Sequence, residues 1–334
     1  MKNRNFAILL AVLGILVIVY VIQQVSSGKK TIAEMTIKLF PRFEPSDVAL
    51  ISVYKEQYPD SGIAFARKDT GWIVASYHNA PGKKADIEKI MTDMKGLGGE
   101  IRSTNPSLFS DFGLADDEAL HLKFMKQDST VLIHFLAGKG IADAPRSSFI
   151  RRAGSDTVYK ADENFISRFA MWNAEPWRRV QVNRWIELKM TELALDSVIA
   201  CDLVIKGKTN RFVKETQAVE DTTAPPKSSW KQVESGFGKK LEGNDIPGIL
   251  SRLTNMRAFD LTSGEIYGVT GLQKPEAKAL LTTTNSGVIE ISFGAMADTT
   301  QKTRYAMVSD KPFIYKVSDS IYESVFVTPF KKTD

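Results

Sequence analysis

Cysteine is almost absent from this chain of 334 residues: Cys201 stands alone, so no intrachain disulfide can form, and the apolar run around it, SVIACDLVI, gives it the setting of a small buried hydrophobe. Histidine is nearly as scarce, with His78, His121 and His134 all in the first half. No G-x-S-x-G, H-E-x-x-H, paired C-x-x-C or Walker sequence occurs. These absences remove the local signatures of most hydrolases, zinc peptidases and nucleotide-binding enzymes, and no catalytic or cofactor-binding residue is assigned. A basic surface is missing too. The net charge of +5 comes largely from Lys2, Arg4, Lys29 and Lys30, ahead of which and among which there is no acid; beyond residue 30, 40 basic groups face 39 acidic ones. With no basic stretch interleaved with aromatics, the phosphate-neutralising part of nucleic-acid affinity has no source, and nucleic acid is not expected as a partner.

Long hydrophobic runs are lacking as well, with one exception. Phe6 to Ile22 is free of charge and dominated by Leu, Ile, Val and Ala. At 1.5 Å of rise per residue such a run just spans a bilayer as a helix, the only single span that satisfies its own backbone. The alternative is a cleaved signal peptide, with Val25-Ser26-Ser27 as the cleavage site. The expectation is one N-terminal transmembrane helix that binds membrane lipid. Lysines and arginines lie on both sides of it, and the signal-like layout places the C-terminal domain outside the cytoplasm.

What the chain does contain is a repeat. In KADIEKIMTDMKGL, residues 84–97, apolar side chains fall at Ile87, Ile90, Met91, Met94 and Leu97; NDIPGILSRLTNM, residues 244–256, places Ile246, Ile249, Leu250, Leu253 and Met256 at the same intervals. Each is one face of an amphipathic helix, and Pro247 sits in a first turn that has no donor to lose. Four landmarks keep step with the helices: Trp72 and Trp230, Gly113-Leu114 and Gly271-Leu272, Gly138 and Gly294, and the stretches SDTVYKADENFISRFA (155–170) and KPFIYKVSDSIYESVF (311–326). Leu120, Leu122 and Phe124 alternate with polar residues, as do Ile133 and Phe135 after KQDS, which reads as a hairpin turning at Gln127-Asp128 with one apolar face; Ile289, Ile291 and Phe293 repeat the second strand.

The fold class is therefore α+β, a tandem duplication of a mainly antiparallel sheet unit with a covering helix. The expected boundaries are an anchor at 1–30, a juxtamembrane linker at 31–42, repeats at 43–170 and 190–328 with a Trp/Arg-rich junction at 171–189 between them, and a tail at 329–334. QAVEDTTAPPKSSW, residues 217–230, reads as a surface loop.

Four features invite a functional reading. His121 and His134 would face each other on the polar side of the first hairpin, but a third metal ligand is missing and the second copy has Ala277 and Glu290 there, so that face is expected to be solvated and no metal is assigned. The DFG at Asp111 to Gly113 lacks every other kinase motif and reads as a turn shared by both copies, and GLGG at Gly96 to Gly99 ends a helix instead of opening one. The junction gathers Trp172, Trp177 and Trp185 with Arg178, Arg179 and Arg184. Trp and Arg are hot-spot residues, so Trp172, Trp177, Arg178, Arg179 and Trp185 form a candidate partner-binding set; the competing reading, which is preferred, is that they seal the joint between the copies.

The N-terminal span, LFPRFEPSDVALISV at 39–53, the Trp-centred strand, the Ala85-Asp86 helix start and the late VYK together resemble the bacterial domain-of-unknown-function family 4340 over about residues 36–328. The resemblance implies a membrane-anchored protein encoded beside gliding-motility-type ABC transporter components, hence a non-enzymatic accessory or scaffold role in a bacterial inner-membrane envelope complex, with the ABC transporter or other envelope proteins as partners. The alternative is an extracytoplasmic ligand-binding module that uses the cleft between the repeats.

Overall fold

The structure is a computed structural model that describes residues 13–21, 36–40, 43–171, 179–217, 227–262, 268–285 and 287–331. Residues 13–21 are helical (α1), a piece of the apolar run; the rest of Phe6 to Ile22 lies outside the described residues. Among the described residues no helix is long and apolar enough to cross a membrane. The chain divides into two compact units, Met1–Ile186 and Glu187–Asp334.

The first unit is built on a ten-stranded sheet. Its strands are β1 (Thr36–Lys38), β2 (Leu50–Lys55), β3 (Tyr58–Lys68), β4 (Gly71–Val74), β5 (Ala80–Pro81), β6 (Gly98–Ser103), β7 (Leu120–Met125), β8 (Val131–Ile141), β9 (Ala144–Arg152) and β10 (Val158–Ala161). They run in the order β1-β6-β10-β9-β8-β7-β2-β3-β4-β5. The alternation seen in the sequence sets the buried face, with Ile51, Val53, Ile63, Phe65, Leu122, Phe124, Ile133 and Phe135 all almost fully buried. Helix α2 (Lys84–Lys95) buries Ile87, Ile90, Met91 and Met94 and ends at Gly96; two single turns, α3 (Phe109–Phe112) and α4 (Phe165–Arg168), complete the unit.

The second unit has eight strands: β11 (Val198–Ile205), β12 (Lys208–Gln217), β13 (Lys227–Ser235), β14 (Asp260–Thr262), β15 (Ala277–Thr283), β16 (Gly287–Asp298), β17 (Thr303–Val308) and β18 (Ile314–Ser318). Their order is β13-β12-β11-β15-β16-β17-β18-β14. Helix α5 (Ile246–Thr254) takes Pro247 in its first turn and buries Ile246, Ile249, Leu250 and Leu253; α6 (Asp319–Tyr322) follows the last strand. All the strand pairings in both sheets are antiparallel.

Taken from β14 to β13, the second sheet repeats the first from β6 to β4, strand for strand. The registers agree as well. Arg67 faces Trp72 where Lys214 faces Trp230. Leu122 faces Phe135 where Ala279 faces Ile291. Tyr159 faces Ile150 and Ile101 where Tyr315 faces Ala306 and Leu261. Gly113 and Gly271 share a left-handed backbone (φ 68° and 71°), the conformation glycine adopts without a Cβ penalty. At Gly138 a Cβ would collide with the Phe112 carbonyl oxygen, at Gly294 with that of Thr270, so the same close approach of a loop to a strand demands glycine twice.

The repeat also reaches further than its sequence landmarks. Residues 36–38, expected within a linker, form β1 against β6, and Leu39 donates to the Leu97 carbonyl at 3.1 Å. In the second unit Met190 donates to the Met256 carbonyl at 2.9 Å and Lys189 bridges Arg257. An unpaired sheet edge favours an extended neighbour, and here each unit's own leading segment takes that place. At the other end Phe330, expected in the tail, is buried and stands 4.9 Å from the Phe237 ring. The loop at 218–226 lies outside the described residues.

Candidate functional site

Three concavities stand out, each lined by residues of one unit. The largest, about 750 Å³, opens at the end of the first unit's core. The β8–β9 ladder breaks its register between Ala137 and Gly140, where the loop carrying α3 packs onto Gly138. Lys139 and Gly140 line it together with Lys55 and Tyr58 from the β2–β3 hairpin end, Asp117 and Glu118, and Ile166 and Met171 supply apolar lining. The Lys139 ammonium donates to the carbonyls of Ser110 (3.2 Å) and Asp111 (3.0 Å), and Gln57 donates to Asp117 at 2.9 Å. The Lys55 ammonium makes no hydrogen bond or ion pair among the described residues. Burial lowers its pKa from the ordinary lysine value, with the charge of Glu118 pulling it back.

A second, polar cleft of about 630 Å³ lies between α2 and α4, and its smaller counterpart in the second unit, about 280 Å³, lies between α5 and the helical turns that end the chain. In the first, Arg168 is paired with Asp93 and with Glu163 (2.7 Å). Burial works against the ionised Asp93, but hydrogen bonds from Arg168 and Lys89 outweigh it and hold the carboxyl below the usual range. The four charges thus satisfy one another, which is the signature of a structural brace for α2.

The histidines do meet. His134 pairs with Lys123, diagonal to His121, and the two rings approach to 3.1 Å between His121 Nδ1 and His134 Nε2. His121 Nε2 lies 2.7 Å from the Asp116 carbonyl oxygen, so it carries the proton and leaves Nδ1 to accept from His134. The face expected to be solvated is covered: the loop bearing Leu114 and Ala119 packs on Leu136 and Val158, and His121 is 2% exposed. Arg151 pins that loop by donating to the Leu114 carbonyl (2.9 Å) and to Asp116 (2.6 Å), with its guanidinium 4.3 Å from the Phe109 ring. Burial first, then the charges of Lys123 and His121, push the His134 pKa down to about 4. The counterpart of His121 is Lys278, one residue beyond the Ala277 expected from the sequence, and it forms a 2.7 Å ion pair with Glu290. A cross-strand contact that one unit makes with two imidazole rings is made by the other with an ion pair. Among the described residues, no group of three or more His, Cys, Asp or Glu is arranged to hold a metal ion.

Of the candidate partner-binding residues, Trp172, Trp177 and Arg178 lie outside the described residues. Arg179 is exposed, while Trp185 is buried within the first unit, stacked on Phe169 (5.1 Å) and tilted against Phe65 (5.2 Å). The structure therefore does not gather these two into one surface. Cys201 is fully buried, and burial followed by the neighbouring Asp202 raises its pKa, which removes it as a nucleophile. Lys55 and Glu118, on the other hand, carried no motif in the sequence. The available signal was a size difference at matched positions, Ala137 against Phe293, which becomes meaningful only once the ladder register is known.

The family model described as "Domain of unknown function (DUF4340)" matches residues 72–266, more than half of the chain and across both units. No curated protein and no solved structure matches.

Proposed function

The chain belongs to the DUF4340 family, and from that premise we propose that it is a non-enzymatic, membrane-anchored accessory or scaffold protein of a bacterial envelope complex, associated with an ABC transporter, with both sheet units outside the cytoplasm. The observation that carries this reading is α1. Leu13, Ile15, Leu16, Val17, Ile18, Val19 and Val21 are each between 44% and 61% exposed, so the helix presents apolar side chains all round that the described residues leave uncovered. A helix of that kind belongs in the core of a large protein or in lipid, and the two sheet units already fill their cores from their own strands and helices. Extended over Phe6 to Ile22, the same run is about 25 Å long, close to the thickness of a bilayer's hydrocarbon layer.

The experiment is membrane fractionation of the full chain in its native host, followed by N-terminal analysis and capture in mild detergent. The expected result is a carbonate-resistant protein that retains Phe6 to Ile22 and co-purifies with ABC transporter subunits. A soluble mature form starting near Gly28 would overturn the anchor, and a retained anchor without those subunits would overturn the transporter association.

A further inference from the structure

The shared register lets each side chain around the 750 Å³ concavity be matched with its counterpart in the second unit, and the matched residues differ in bulk. Ala137 faces Leu120 and Ile150; at the same node Phe293 faces Ala277 and Ala306. Gly140 faces Ser148 where Met296 faces Arg304. Phe293 is fully buried, with Phe326 5.4 Å and Tyr322 6.1 Å from its ring. Arg304 lies 4.0 Å from the Tyr322 ring and bonds to Glu276 (2.7 Å), Asp319 (2.8 Å) and the Gly294 carbonyl (2.5 Å). Those side chains close the end of the second unit's core. The first unit has none of them, and the concavity stands in their place.

Loss of bulk alone would leave an apolar void, which costs packing energy and offers no recognition. Here a charge has changed strands where bulk is missing. Lys55 faces Tyr58 at the position where Ile205 faces Lys208. Of the four charged side chains at the rim, Lys139 and Asp117 are engaged by protein partners. Lys55 and Glu118 attract each other but form no ion pair among the described residues, so an ammonium and a carboxylate of opposite sign remain open over an apolar wall. The size falls within the range of small-molecule sites, and a few polar groups over an apolar lining is their usual composition.

We infer that this concavity binds a small zwitterion with an apolar body, an amino acid or short peptide whose carboxylate pairs with Lys55, whose ammonium pairs with Glu118 and whose side chain lies on Ile166 and Met171. A ligand of net zero charge leaves the balanced rim balanced, whereas a simple anion would sit against Glu118 and a simple cation against Lys55. The lowered pKa of Lys55 fits, because a ligand carboxylate returns the stabilisation that burial takes from the ammonium.

The test is isothermal titration of the detergent-solubilised full chain with leucine, methionine, phenylalanine and the dipeptides Leu-Leu and Met-Phe, each also as its N-acetyl and C-amide form. At least one zwitterion is expected to bind saturably, and either cap to weaken it by about tenfold or more, as does Lys55→Met or Glu118→Gln. Ala137→Phe with Gly140→Met, which rebuilds the second unit's plug, abolishes binding at an unchanged melting temperature. Absence of saturable binding across the panel overturns the inference, and so does a capped form that binds as tightly as the zwitterion. If the plugged protein does not fold, unchanged affinity in the Lys55→Met protein overturns it instead.

Discussion

Replacing Trp185 by alanine separates a core residue from a docking residue. The indole is 5% exposed, stacked on Phe169 with 22° between the planes and tilted against Phe65. Its backbone is fixed as well, the carbonyl accepting from Lys83 N–H at 2.7 Å. Truncation of a buried Trp costs about 3–5 kcal/mol, and losing two aromatic contacts places Trp185 in the upper half of that range. One feature lowers the figure: the indole Nε1 is buried with no hydrogen-bond partner among the described residues, and removing such an orphan donor returns about 1–3 kcal/mol. The net loss is about 3 kcal/mol, or a fall of roughly 6–12 °C in the melting temperature of a unit of this size. Trp185→Phe keeps a ring on Phe169 and discards the orphan N–H, so it should stay within about 1 kcal/mol of the parent. Urea unfolding followed by fluorescence and circular dichroism measures both. An unchanged midpoint for Trp185→Ala would refute the core assignment and return Trp185 to the candidate docking surface.

Two further perturbations probe the sheet nodes. His134 titrates at 6.5 when unfolded and near 4 when folded, so on acidification from pH 6.5 towards 4 the unfolded chain takes up a proton that the folded chain does not. Stability tied to this group is complete above pH 6.5 and lost below it, by about 1–2 kcal/mol once solvent screening of a partly exposed ring is allowed for. Unfolding at pH 7 and 4.5 should therefore show a steeper acid loss in the parent than in His134→Asn, and equal losses would count against the burial argument; Asp116 and Arg151 face the same ring and are unchanged in both proteins. At the loop crossings, Gly138→Ala and Gly294→Ala should each cost about 1–3 kcal/mol, since the new methyl meets backbone oxygen. A neutral result at either position would mean that the loop is free to retreat.

The architecture was legible because it rests on short periods and on residues that the backbone itself requires. The spacing of Ile87, Ile90, Met91 and Met94 is that of a helix face whatever surrounds it, and the glycines at 113, 138, 271 and 294 are demanded by a left-handed turn and a close approach. Strand alternation located the buried face of β7 and β8 but not the fate of the opposite one. Nothing in a period of two announces that the loop carrying Leu114, held by Arg151 from a strand further along the chain, will cover His121. The segment at 36–38 was missed for a related reason. Three residues are too few to show alternation, and only the hydrogen bonds to β6 identify them as a strand. Trp185 was recognised as a residue of consequence, yet its composition-based setting could not distinguish a joint from a core.

The candidate binding site needed both kinds of information. Equivalent positions keep their place in the fold while the side chains on them drift: His121 and His134 become Lys278 and Glu290, and the paired Asp93 and Arg168 become Arg252 and Ser324, each of which donates to a carbonyl of its own segment. Drift of that sort exchanges one satisfied contact for another and leaves the ladder untouched. The change from Phe293 and Met296 to Ala137 and Gly140 is different in kind, because it leaves a space and puts beside it a half-buried Lys55 whose ammonium forms no ion pair among the described residues. A packed core opposes both steps, since empty volume forfeits dispersion contacts and a half-buried ammonium forfeits solvation. Two unfavourable changes at one place are retained together when a third body relieves both, and a ligand that brings a carboxylate and apolar surface relieves both at once.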